Sequence, residues 1–204
     1  SLEDIAKLLS RAFQISRSGR PGPVYVEIPW NLFAQGASTG VRYEPARAEQ
    51  NRIDSAAVQK ACDALVKAER PLLILDKGVF RQQDRSQLAD LAEALGAGIA
   101  VTRDALGAID ETHPHYCGVV HDHNFGSFGF DAAEAADVCL LFGFDPCADN
   151  ACMIETRARG AVIELAQTQG SEGMSLGEAC SALVRARKSG ALVPAYLNEH
   201  SVDK

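Results

Sequence analysis

Four short runs that are apolar at nearly every position constrain this chain more than any other feature. LLIL (72–75), IAVT (99–102), VCLLFG (138–143) and AVIEL (161–165) lack the in–out alternation of a strand that faces water on one side. A strand that is apolar on both faces is buried on both, which calls for a parallel sheet covered by helices on either side. The segments between the runs supply such helices. Val58, Ala61, Cys62, Leu65 and Val66 share one face of a helix that Asp54 or Ser55 can cap. Leu88, Leu91, Ala92 and Leu95 stripe a second, which Gly96 stops, and residues 176–187 form a closing helix. The predicted fold is α/β: a doubly wound, Rossmann-like parallel sheet over residues 53–188, with 189–204 as a C-terminal tail.

The first fifty residues do not belong to that pattern. Leu2, Ile5, Leu8, Leu9, Ala12 and Phe13 make one helical stripe over residues 2–16, and Gly19 and Pro21 end it. PVYVEIP (23–29) then reads as a single strand delimited by proline at both ends. Residues 34–52 lose all periodicity and read as a linker. One helix and one strand cannot enclose a core, so residues 1–33 are expected to be the end of another domain. An unpaired strand has open edges, so Val24, Val26 and Ile28 are expected to dock on a neighbour, to pair with another copy, or to order poorly.

Composition narrows the function classes. The 204 residues carry a net charge of −7, which excludes the clustered Lys and Arg of a nucleic-acid or anionic-membrane surface. The apolar runs are far too short to span a bilayer. No signal peptide is visible in these residues, and the start at Ser1 is expected of a processed protein or of a piece of a longer one. The six cysteines sit mostly inside apolar patterns and form no CxxC pair, which favours reduced thiols and a cytoplasmic location.

In a doubly wound sheet ligands lie at the carboxyl ends of the strands, and three segments there carry polar chemistry. DKG (76–78) offers only Gly78, beside an acidic Asp76 that repels phosphate. It reads as an ordinary strand-to-helix turn. HPHYCGVVHDHN (113–124) gathers His113, His115, His121 and His123 with Cys117 and Asp122. It reads as solvated loop histidines, with a transition-metal site as the alternative. FGFDPCADNAC (142–152) carries Asp145, Cys147, Asp149 and Cys152, a ligand loop or simply an acidic turn. No nucleophile elbow, P-loop or paired acid and base appears, so no catalytic residue and no metal ligand is assigned.

The order of these pieces resembles one family. GRPGPVYVEIPW, a linker, RPLLILDKGV, LAEALGAGIAVTRDALGAIDETHPHYCG and AADVCLLFG are together similar to the acetolactate synthase-like, thiamine diphosphate-dependent enzymes, over about residues 5–165. The resemblance implies a three-domain parent acting on 2-oxo acids or related compounds. Residues 1–33 would be the last helix and strand of its pyrimidine-binding domain, and residues from about 50 to 188 its central domain. The family's activating glutamate lies far upstream of this region, and its Gly-Asp-Gly magnesium motif belongs to the third domain and does not occur here. Thiamine diphosphate and magnesium are therefore expected in the intact parent and not on this chain.

In some relatives the central domain binds FAD or ADP, which makes Gly78, Thr102, His123 and Gly143 the candidate cofactor-binding residues of a strand-end groove. Several departures weigh against a nucleotide: the glycine-rich turn reads Asp76-Lys77-Gly78, an expected arginine reads Asp145, an expected aspartate reads Ala166, and Asn124 follows His123 where a glycine is usual. Three readings stand at this point. The chain is a structural central domain whose partners are the other domains of a homo-oligomeric parent; or it is a self-contained FAD- or ADP-binding module; or it is a ligand-free oligomerisation domain.

Overall fold

The computed structural model describes residues 2–18, 21–36, 42–46, 52–82, 85–120, 127–145, 150–168 and 172–189. The chain divides into two compact units, Ser1–Gln50 and Asn51–Lys204.

The first unit contains α1 (Leu2–Arg17) and a single-turn α2 (Trp30–Phe33), whose Trp30 and Phe33 rings lie 5.9 Å apart. The expected helix is present; the expected strand is not. Residues 21–29 form no strand and join no sheet among the described residues, their backbone bonds being the turn contacts of Gly22 N–H with Ser16 O and of Leu32 N–H with Pro29 O. The alternating pattern is right for a strand, but a strand exists only when its N–H and C=O groups meet a neighbour. None of the described side chains between residues 4 and 46 is buried, so the described residues of this unit enclose no core.

The second unit opens with β1 (Arg52–Ile53) and α3 (Ser55–Leu65), where the Asp54 carboxylate accepts the Ala56 N–H at 3.1 Å as the N-terminal cap. β2 (Pro71–Leu75) follows, buried at all five positions, with Pro71 at the first place in the strand, where a missing N–H is tolerated. A 3-10 turn (Lys77–Arg81) leads to α4 (Gln87–Leu95), closed by Gly96 in the left-handed region (φ 62°). Then come β3 (Gly98–Thr102), β4 (Tyr116–Val120), α5 (Phe128–Ala135), β5 (Val138–Phe142), α6 (Asn150–Arg157), β6 (Ala161–Leu165), β7 (Gln167–Thr168) and α7 (Leu176–Ser189).

β2 through β6 form one five-stranded parallel sheet in the order β4-β3-β2-β5-β6, while β1 pairs antiparallel with β7 in a small separate ladder. The chain thus builds outward from β2 in one direction and then restarts at β5 on its other side. That reversal puts the topological switch point between β2 and β5. Successive residues of β2 serve opposite layers. Leu73 and Leu75 join the core beneath α3, α4 and α7, and Leu72 and Ile74 the one beneath α5 and α6. This is the doubly wound sheet expected from the apolar runs, with one strand more than those runs predict. Among the described residues no helix is long and apolar enough to cross a membrane.

One buried cation organises the first of these layers. Arg187, in the last turn of α7 and 6% exposed, donates from Nε to the Leu95 carbonyl (3.2 Å) and from Nη1 to the carbonyls of Leu65 (3.2 Å) and Ala68. These carbonyls lie at the carboxyl ends of α3 and α4, where helix oxygens have no intrahelical partner and the helix dipole favours positive charge. Arg187→Met keeps the aliphatic stem but removes the guanidinium donor from three carbonyls, of which only Leu65 keeps another, the Ala68 N–H. It is expected to lower stability by about 2–3 kcal/mol in urea denaturation, with Arg187→Lys recovering only part of the loss because an ammonium cannot span both helix ends.

Candidate strand-end site

The turn after β2 and the turn after β5 meet at the switch point. The parallel ladder continues one step past the strands: Asp76 N–H donates to the Phe142 carbonyl (2.8 Å) and Gly78 N–H to the Gly143 carbonyl (2.9 Å). The close approach explains why both residues are glycine. A Cβ on Gly78 would lie 2.4 Å from the Gly143 oxygen, and one on Gly143 would lie 2.5 Å from the Val79 nitrogen. Gly143 also has φ +71°, a conformation that a residue with a Cβ adopts only at a cost.

Two carboxylates are buried beside this contact. Asp76 is completely buried; its Oδ1 accepts the Thr102 hydroxyl at 2.5 Å from the end of β3, and its Oδ2 has no hydrogen-bond partner. Asp145, 5% exposed, meets the Lys77 ammonium at 3.0 Å across the two turns. The structure therefore brings Gly78, Thr102 and Gly143 together at the carboxyl edge of the sheet, as expected from their strand-end positions. His123 lies outside the described residues. Lys77, not among the expected site residues, supplies the charge that balances Asp145; its position next to Gly78 was the available signal.

The other expected polar segments resolve into structural roles. His113 Nε2 lies 3.3 Å from Glu93 Oε1, and its Nδ1 accepts the His115 N–H at 3.2 Å. His115 Nδ1 donates to the Ala97 carbonyl at 2.7 Å. These two rings tie the loop before β4 to α4 and to the turn before β3, so they are part-buried and bonded rather than the solvated loop histidines expected; His121 lies outside the described residues. Among the described residues no three metal-ligating side chains converge. Cys147 and Asp149 lie outside the described residues, and Cys152 is an exposed, free thiol on α6. Cys139 and Cys180 are buried and unsuited to nucleophilic work, since burial pushes their thiols up to about 12 and about 11.

A feature that the sequence reading missed lies at the opposite end of the sheet. A cavity of 590 Å³ opens beside the edge strand β4, lined by His115, Tyr116, Cys117, Phe128, Asp131 and neighbours. It is mostly apolar, and burial raises the Cys117 thiol and the Tyr116 phenol above their ordinary ranges. Most of its walls come from β4 and α5, neither of which the apolar runs announce.

Comparison with known proteins gives a consistent family. The family described as thiamine pyrophosphate enzyme, central domain, matches residues 58–168. The acetolactate synthase isozyme 1 large subunit of Escherichia coli K12 is 32% identical over 145 residues, covering 70% of this chain and 25% of that protein. Oxalyl-CoA decarboxylase of the same strain is 35% identical over 148 residues, covering 69% and 24%. The chain thus spans about a quarter of the length of these relatives. An X-ray structure of a Mycobacterium smegmatis protein assigned as a thiamin diphosphate-dependent enzyme superposes with a TM-score of 0.62 at 18% identity, covering 96% of this chain and 38% of that one, a likeness of fold.

The glycine pair makes a direct test of the closed geometry. Gly78→Ala places a methyl group against the Gly143 carbonyl and is expected to destabilise the chain by about 1–3 kcal/mol. Gly107→Ala, at a positive-φ glycine with open space around its Cβ position, serves as the comparison that carries backbone strain without a clash.

Proposed function

We propose that this chain, which belongs to the thiamine pyrophosphate enzyme central-domain family, is the structural middle of a larger enzyme and performs no chemistry alone. The observation that carries this reading is the family match over residues 58–168, together with the quarter of its relatives' length that the chain spans. Thiamine diphosphate, when bound in the intact parent with magnesium, supplies a stabilised carbanion for attack on or release from a carbonyl carbon. In this reading the residues that hold the cofactor lie in the two flanking domains. The residues of Asn51–Lys204 contribute a rigid sheet between them, and the substrate is a 2-oxo acid or a related acyl compound, as the names of the relatives suggest.

The first unit fits the same scheme. α1 and residues 21–29 present Leu8, Phe13, Val24, Tyr25 and Val26 with no core of their own. We take residues 1–33 as the closing helix and strand of the preceding pyrimidine-binding domain, residues 34–52 as the linker, and 189–204 as the tail toward the next domain. The other domains of the parent are then its principal partners. We further take the parent to be homo-oligomeric, and cytoplasmic in line with the five described cysteines, all of which are free.

The chain, supplied with thiamine diphosphate and magnesium, is expected to consume neither pyruvate, glyoxylate nor oxalyl-CoA in a coupled assay. The parent reading frame is expected to encode a glutamate upstream and a Gly-Asp-Gly segment downstream. Turnover by the 204-residue chain alone would overturn the proposal.

A further inference from the structure

We propose that the switch-point turn of this chain is sealed by the chain itself and takes no nucleotide diphosphate, with the Lys77–Asp145 pair and the Gly78–Gly143 contact joining the two loops between which such a ligand would lie. This inference rests on the fold and the local geometry, so it stands or fails separately from the family reading. The fold itself raises the opposite expectation, because open parallel sheets take their ligands at this crevice. A diphosphate site there needs backbone N–H groups turned toward the ligand, an α-helix beginning directly after the strand, room for the phosphates, and a local charge that tolerates them.

Among the described residues the turn after β2 is poorly suited to these needs. Three of its amides are engaged: Asp76 N–H with Phe142 O (2.8 Å), Gly78 N–H with Gly143 O (2.9 Å) and Val79 N–H with Asp76 O (3.0 Å). The element after β2 is the 3-10 turn Lys77–Arg81, and α4 begins only at Gln87, so no α-helix starts directly after this strand. The space is taken by backbone, as the 2.4 Å approach of a hypothetical Gly78 Cβ to the Gly143 oxygen shows. The cavity that Val79, Phe142 and Gly143 help to line is 10 Å³, room for about one water. As to charge, Asp76 and Asp145 are both buried at the turn. The Lys77 ammonium is directed to Asp145 and the Arg81 guanidinium to the Gln167 carboxamide (3.4 Å).

A glycine pair that elsewhere admits a ligand's phosphates here admits the neighbouring loop instead. The ion pair joins the loop after β2 to the loop after β5 with no ligand between them.

The test titrates ADP and FAD separately into the 204-residue chain by calorimetry and by thermal melting, alongside Lys77→Met, Asp145→Asn and the swapped pair Lys77→Asp/Asp145→Lys. The expected result is no binding heat and no melting shift at millimolar ligand, a lower melting temperature in each single variant, and partial recovery in the swap. A saturable rise in melting temperature with ADP or FAD, lost in Lys77→Met, would overturn the proposal by assigning Lys77 to a phosphate. Single variants that melt like the parent chain would overturn the role of the ion pair. Should the variants fail to fold, titration of the unaltered chain still decides whether the turn takes a nucleotide.

Discussion

The hydrogen bond from Gly78 to Gly143 is short-range, yet the arrangement of the sheet's carboxyl edge depends on it. β2 and β5 are sequence-distant strands that meet at the centre of the sheet, and their ladder would ordinarily end at Leu75 and Phe142. Here it runs on through Asp76 and Gly78, drawing the following loops into contact. That contact buries Asp76 against Thr102 and places Lys77 within reach of Asp145. A buried carboxylate is expensive unless partnered. The pairing of Asp145 and the hydroxyl on Asp76 show how the chain accommodates two of them, although Asp76 Oδ2 remains unmatched.

The same edge of a doubly wound sheet serves many proteins as a ligand site, and fold alone does not decide whether it does so here. What decides is the local accounting of donors, space and charge, and that accounting favours closure. A body that is closed at its switch point and organised on its other side by Arg187 across two helix ends suits a spacer held between domains. The first unit adds a complementary feature, since its exposed apolar side chains call for a partner outside the described residues.

How much of this was legible depended on whether a feature is local. β2, β3, β5 and β6 announced themselves because strands buried on both faces are apolar throughout. β4 did not: it is an edge strand with only Val120 fully buried, and Gly118, at φ +99°, interrupts its middle. α5 and α6 are eight residues each, too short to establish a helical period, and Gly129 in α5 is present because its Cβ would strike the Val119 backbone, which is a tertiary reason. Residues 23–29 show the converse, a correct strand pattern without a partner to complete it.

Gly78, Thr102 and Gly143 were legible as strand ends. The Lys77–Asp145 pair was not, because its members are far apart in sequence and only the β2–β5 pairing brings them together. Arg187 likewise carries no signal beyond its place near the end of the closing helix, and its task becomes visible only once α3 and α4 converge on it.

The central claim is that the switch point is closed by backbone, and amide hydrogen exchange at Gly78 measures it most directly. An amide bonded to the Gly143 carbonyl beneath two packed loops should exchange as slowly as those of β2 and should be unaffected by added ADP or FAD. Fast exchange at Gly78 that slows when either nucleotide is added would contradict the account, showing an open turn whose amide waits for a phosphate.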